Sequence, residues 1–170
     1  MEHNWTDEQF EGMSWHDNHV HAIRIVEGEH GAGELVLDID YIAEWIGGSD
    51  RFRFSIVPAV LTFRHVSDLR ITLDYAAASA ALGPFSIHAI ERRVEQRQHY
   101  VARLWRILIN WPPGEISFAA QGFVQRSTGV LRLSHRQGLT PSERISDAQP
   151  RDQPDLRARG FFPVCVGGPG

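Results

Sequence analysis

Four side chains that ligate metals or move protons fall within six positions of the stretch SWHDNHVHAIRI: His16, Asp17, His19 and His21. Imidazoles and carboxylates in that number, with an open position left for water, suit a divalent Zn, Fe, Ni or Mn ion. From His19 onward the chain alternates. HVHAIRIVE sets His19, His21, Ile23 and Ile25 on one face of a strand, and Val20, Ala22 and Arg24 on the other. Both imidazoles then reach one ion, and His16 or Asp17 supplies a third ligand from the preceding turn. A divalent metal is the one cofactor the residues raise. The competing reading needs no metal. Histidines at the mouth of a strand cap the rim of a core and hydrogen-bond a carboxylate, a tyrosine or a carbonyl.

The element that follows decides what those histidines face. EGEHGAGE is a glycine-rich turn, and LVLDIDYIAEW alternates Leu35, Leu37, Ile39 and Tyr41 against Val36, Asp38, Asp40 and Ile42. Two alternating runs around a glycine loop predict a β-hairpin. A symmetric loop places Ile23 opposite Leu37, Arg24 near Asp38, and His19 opposite Tyr41, its expected partner. Asp38 and Asp40 share a face about 7 Å apart, a separation compatible with the paired carboxylates of a glycosidase. With Arg24 and Tyr41 they form a second polar candidate. Arg24 beside them makes a solvated, ion-paired face the simpler reading.

Two metal motifs come near the histidine pattern. DNHVH is similar to the His-x-His opening of amidohydrolase barrels, but there the apolar strand precedes the histidines, whereas here it follows them. Gly12, His19, His21, Glu27 and Gly33 come in the order of the cupin motif, with every free spacing off by one residue. At roughly 3.3 Å per residue, Glu27 would lie about 20 Å from His21, out of reach of a shared ion. No Gly-x-Ser-x-Gly elbow, P-loop or dinucleotide-binding glycine motif is present, and Cys165 falls in the expected flexible tail, a poor place for a nucleophile. His65 with Asp68, and His88 with Glu91, are further His–carboxylate candidates.

Composition narrows the classes. The net charge of −4 argues against nucleic acid, and the single cysteine suits a reducing cytoplasm. The one cationic stretch with aromatics, IERRVEQRQHYVARLWR, is diluted by Glu91 and Glu95. No window approaches the roughly 18 apolar residues of a membrane span, and the acidic first residues lack the apolar region of a signal peptide. All 17 basic residues are arginine, a usage that points to a GC-rich bacterial genome.

Along the rest of the chain the period stays at two. RFRFSIVPAVLTFRHV predicts one or two strands with Pro58 at an edge, bend or bulge. SD then turns the chain into LRITLDY, and PFSIHAIERRVEQ begins as a strand. HYVARLWRILINW and ISFAAQGFVQR form a second hairpin around PPGE, and VLRLS is a last short strand. The expectation is a mainly β fold of about eight strands with little helix, an antiparallel sandwich or barrel. Trp105, Phe54, Phe63 and Phe118 are its expected core. Residues 1–14 form a polar N-terminal segment, with Thr6 and Gln9 as a capping box; 15–134 the β domain; and 135–170 a flexible tail, disordered over 146–170 except for FFPVCV.

WHDNHVHAIRI followed by GELVLDIDYIAEW resembles a loose group of small bacterial β-rich proteins, some of them polymorphic-toxin immunity proteins. Trp15, His16, Asp17, Ile23, Ile25, Leu35, Leu37, Asp38, Asp40 and Tyr41 carry the resemblance. It implies a non-enzymatic module that binds a protein partner, with no catalytic residues. The alternatives are a metal-binding protein or metal-dependent enzyme using His16, His19 and His21, and a structural β module that forms a homodimer through a sheet edge.

Overall fold

A computed structural model describes residues 4–28, 33–48, 52–77 and 81–145. The elements are β1 (Asn4–Thr6), a single 3-10 turn (Phe10–Gly12), β2 (His19–Val26), β3 (Gly33–Ile46), β4 (Arg53–Leu73), β5 (Phe85–Gln96), β6 (Val101–Trp111), β7 (Gly114–Ala119), β8 (Gly122–Ser127), β9 (Arg132–Ser134) and the short helix α1 (Pro141–Arg144). Every strand pairing among the described residues is antiparallel. The nine strands form one sheet: eight follow the order β1-β8-β4-β3-β2-β5-β6-β7, β9 pairs with β4 beside that path, and β7 returns to pair with β4, so the sheet closes on itself as a barrel. The expected antiparallel β class, little helix included, is therefore the observed one. The predicted disordered stretch 146–170, with FFPVCV, lies outside the described residues.

Alternation builds the core. Leu35, Leu37 and Ile39 of β3 and Leu61 and Phe63 of β4 are fully buried, and they meet Trp105, Ile107, Ile116 and Phe123 from the far wall. Edge-to-face aromatic pairs fasten the centre, with Phe63–Phe118 at 4.7 Å and Phe63–Trp105 at 5.2 Å among them. Phe54 departs from expectation. It points outward and packs with Ile42, Ile56 and Leu139 in a separate small cluster.

β4 is one continuous strand, not two, and Ser67-Asp68 does not reverse it. The chain bulges between Ser67 and Arg70, with His65 and Asp68 at φ 54° and 56°. Below this bend β4 pairs with β8, and above it with β7. Pro58 is accommodated because β9 ends its pairing at Ile56 and β8 begins at Ala59. Its missing N–H falls in that gap, where its carbonyl accepts from Thr128 N at 2.8 Å. The run ISFAAQGFVQR likewise breaks at Ala120-Gln121 into β7 and β8.

β2 and β5 touch only at His19–Ser86 and Val20–Phe85. The N-terminal segment fills the seam below, and it is less polar in role than in composition: Phe10, Met13 and Trp15 all pack on the core. Phe10 meets Trp105 edge to face at 5.4 Å, and Trp15 Nε1 donates to the buried Gln125 Oε1 at 2.9 Å. The Thr6–Gln9 pair forms on its reciprocal side, with Gln9 Oε1 accepting from Thr6 N at 2.7 Å.

Candidate functional site

The most concentrated polar chemistry lies on the outer face of β2 and β3. Asp40 has the parity opposite to Ile39 and Tyr41 and should therefore be solvated, yet it is 0% exposed. Residues 135–145, expected as the start of the tail, lie over it. Leu139 N donates to Asp40 Oδ2 at 2.8 Å, His21 Nε2 shares that oxygen at 2.9 Å, and Arg144 Nη1 donates to Oδ1. Arg144 Nη2 reaches Asp38 Oδ1 at 2.5 Å. A single guanidinium thus bridges both aspartates of the LDID run, which satisfies the charge that burial would otherwise make costly. α1 holds Arg144 in place through a full capping box, with Thr140 N and Oγ1 both donating to Glu143 Oε2 at 2.7 Å.

The histidines follow from one irregularity in β2. Val20 pairs with Ile39 and Ala22 with Asp38, so His21 is an extra, bulged residue. The bulge reverses the strand's parity. His19 faces outward opposite Asp40, not Tyr41, while Ile23 turns inward onto the core opposite Leu37. His19 lies under Gly138 so closely that a Cβ there would stand 2.2 Å from its Nδ1. Burial lowers the His19 pKa below its ordinary 6.5, against the opposing pull of Asp40.

His16 and Asp17 belong to the turn before β2. The His16 ring stacks on Trp45 at 6.0 Å, and its Nδ1 lies 3.1 Å from the His88 carbonyl. Asp17, at φ 60°, accepts from Asn110 Nδ2 and Gln137 Nε2, both at 2.7 Å. Among the described residues no group of three His, Cys, Asp or Glu side chains is arranged to hold a metal ion. His16 and Asp17 approach to 3.5 Å and His21 meets Asp40, but these are two separate contacts with different neighbours.

The remaining candidates disperse. Tyr41 faces the core against the Trp5 ring at 5.1 Å, and burial raises its pKa above the ordinary 10. Arg24 is exposed opposite Val36, its expected place beside Asp38 taken by Arg144. Asp68 is in contact with Ser67, not His65, and Glu91 pairs with Arg106, not His88.

The chain matches no protein-family model and no curated protein. Its chemistry is therefore argued from geometry. Every oxygen of Asp40 is occupied by a donor, and the site joins residues 135–145 to the barrel as a latch. Sequence reasoning missed Arg144, Gln137, Gly138 and Leu139. A signal was present: Thr-Pro-Ser-Glu at 140–143 has the spacing of a capping box with proline at the first helical position.

Beside the latch stands an aromatic shelf. Trp45, 42% exposed, packs edge to face on Phe54 at 4.9 Å and lies 6.3 Å from Phe52, itself 60% exposed. The ring of His16 covers its other side. Among the described residues no helix is long and apolar enough to cross a membrane.

Proposed function

We propose that the protein is a non-enzymatic binding module of the immunity type, engaging a protein partner through the Trp45–Phe52 shelf. The observation that carries this reading is the exposure of two large neighbouring rings, of which Trp45 is packed between Phe54 and His16. Tryptophan and its aromatic neighbours supply most of the energy of protein interfaces when they are already ordered before contact. Trp45 is ordered by Phe54 and His16, and the latch fixes the face on which they stand. The barrel interior supports the same reading, because Trp105, Phe63 and Phe123 fill it.

The test is chemical cross-linking and co-purification from the source cell, comparing the native chain with a Trp45→Ala/Phe52→Ala variant of equal thermal stability. The reading predicts one stoichiometric protein partner, retained by the native chain and lost by the variant. Equal retention by both sinks it.

A second reading, a homodimer through a sheet edge, is favoured by β2. Beyond Val20 this strand has no partner on its β5 side among the described residues, and Ile25 and Val26 are 69% and 42% exposed there. Ile25→Lys would then convert a dimer to a monomer by sedimentation.

A further inference from the structure

A groove of about 850 Å³ crosses the outer face of β4, β7, β6 and β5. The register gives its construction. Arg70, Ser117, Arg106 and Glu91 stand side by side in one row, and Ala119, Leu104 and Arg93 in the next. The floor is thus made of short or apolar side chains, and the walls of arginines. Arg70, Arg92, Arg93, Arg97 and Arg106 line the groove against only Asp68 and Glu91. Glu11, Glu95 and Glu115 offset Arg92, Arg97 and Arg106, so the cations the groove leaves for an occupant are Arg70 and Arg93.

Three of these arginines are already engaged. Arg92 sits 4.6 Å over the Phe10 ring with Glu11 at 2.9 Å, Arg97 bonds Tyr100 Oη at 2.9 Å, and Arg106 bonds Glu115 Oε2 at 2.7 Å. Arg70 and Arg93 are exposed and have no hydrogen bond or ion pair among the described residues. Asp68, in the bend of β4 itself, lines the groove with a left-handed φ of 56°.

We propose that this groove binds an extended acidic segment of a partner protein, whose carboxylates pair with Arg70 and Arg93. Arginine is suited to that task because its planar fork meets a carboxylate with two parallel hydrogen bonds. Single-stranded nucleic acid fits less well. Binding of that kind uses exposed rings for base stacking; the groove's own rings, Trp105 and Phe118, are 1% and 3% exposed, and the exposed Tyr100 of the adjoining hollow is already engaged by Arg97 at 2.9 Å. An extended occupant fits better than a compact one. The groove shares Asp68, Arg97 and Ala119 with a second hollow of about 620 Å³ that carries Arg103 and Tyr100. The site shares no residue with the Trp45 shelf and does not rest on it.

The experiment is fluorescence anisotropy with a labelled peptide of alternating glutamate and serine, titrated with the full chain at low ionic strength. A serine-only peptide and a labelled oligothymidylate serve as the other probes. The variants are Arg70→Glu, Arg93→Glu and, as a charge-matched control on another face, Arg24→Glu. All three residues are exposed and have no ion-pair partner among the described residues, so none of the changes breaks an ion pair described for the fold. The glutamate peptide should bind, the serine peptide should not, and Arg70→Glu or Arg93→Glu should weaken binding by about tenfold or more. Arg24→Glu should leave it within about twofold, since it shifts only the long-range field. No binding of the glutamate peptide overturns the proposal. So does equal weakening by Arg24→Glu, which would mark mere net charge, or tighter binding of the oligothymidylate, which would make the groove a nucleic-acid site.

Discussion

Replacing Asp40 by asparagine keeps the side chain's size and removes its charge. In the native fold Asp40 accepts from three donors while fully buried: His21 Nε2, Leu139 N and Arg144 Nη1. An amide has one acceptor oxygen and turns an NH2 group towards the other donors, so at least one of them loses its partner. An unsatisfied buried backbone N–H costs about 1–3 kcal/mol, and a buried pair broken by loss of one charge costs about 3–5 kcal/mol. Arg144 keeps Asp38 as an alternative partner and its side chain is 13% exposed, which moves the second figure to its lower end. The two costs overlap, and Asp40→Asn should destabilise the fold by about 3 kcal/mol in urea unfolding. Hydrogen exchange adds a local readout. The Leu139 amide is protected in the native protein through its bond to Asp40, and in the variant it should exchange faster than the amides of β3. Stability within about 0.5 kcal/mol of the native chain, with Leu139 still protected, would refute the view that Asp40 holds down residues 135–145.

Two further outcomes follow from the buried polar groups. His19 has its pKa lowered by burial, so the unfolded chain takes up a proton first as pH falls through 6.5, and stability is lost on the acid side. The slope from this group is at most about 1.4 kcal/mol per pH unit, and a His19→Phe variant should lose that contribution when urea midpoints are compared from neutral to mildly acid pH. Gln125 is buried with Oε1 accepting from Trp15 and with Nε2 unpartnered. Trp15→Phe alone should cost about 1–3 kcal/mol, whereas Trp15→Phe with Gln125→Leu should recover most of that loss in thermal unfolding, because no orphaned group remains.

How much of this was legible depended on whether the controlling contact was local. The alternation of Leu35, Leu37, Ile39 and Tyr41 reads directly as a buried strand face, and each of the four is buried. The Ile23–Leu37 register also followed from the glycine loop. What the pattern could not carry was the extra residue at His21. A bulge leaves composition unchanged while reversing parity, and one such residue moved His19 from Tyr41 to Asp40. Ser67-Asp68 misled for the same reason, since polar residues at φ near 56° serve a bulge as well as a turn. The partner of Asp38 was illegible in another way. Arg24 was close in sequence, but Arg144, far away in the chain, had a capped helix to aim it. The metal reading required His19 and His21 to converge with His16 or Asp17, and the bulge and the turn assign these residues to different neighbours.

β4 runs for 21 residues and lends one edge to β3 and the other to β7, β8 and β9 in succession. During synthesis the β3 edge finds its partner at once, because β3 has just been made. The opposite edge is bare until the last quarter of the barrel has emerged, and the apolar row of Val57, Ala59, Leu61 and Phe63 beside it stays uncovered for as long. Pairing of that sequence separation is slow to form and open to mispairing with other chains. The price of a barrel organised around one shared strand is a nascent chain with an adhesive flank, and the break at Pro58, where no hydrogen bond can be donated, interrupts that flank in its first third.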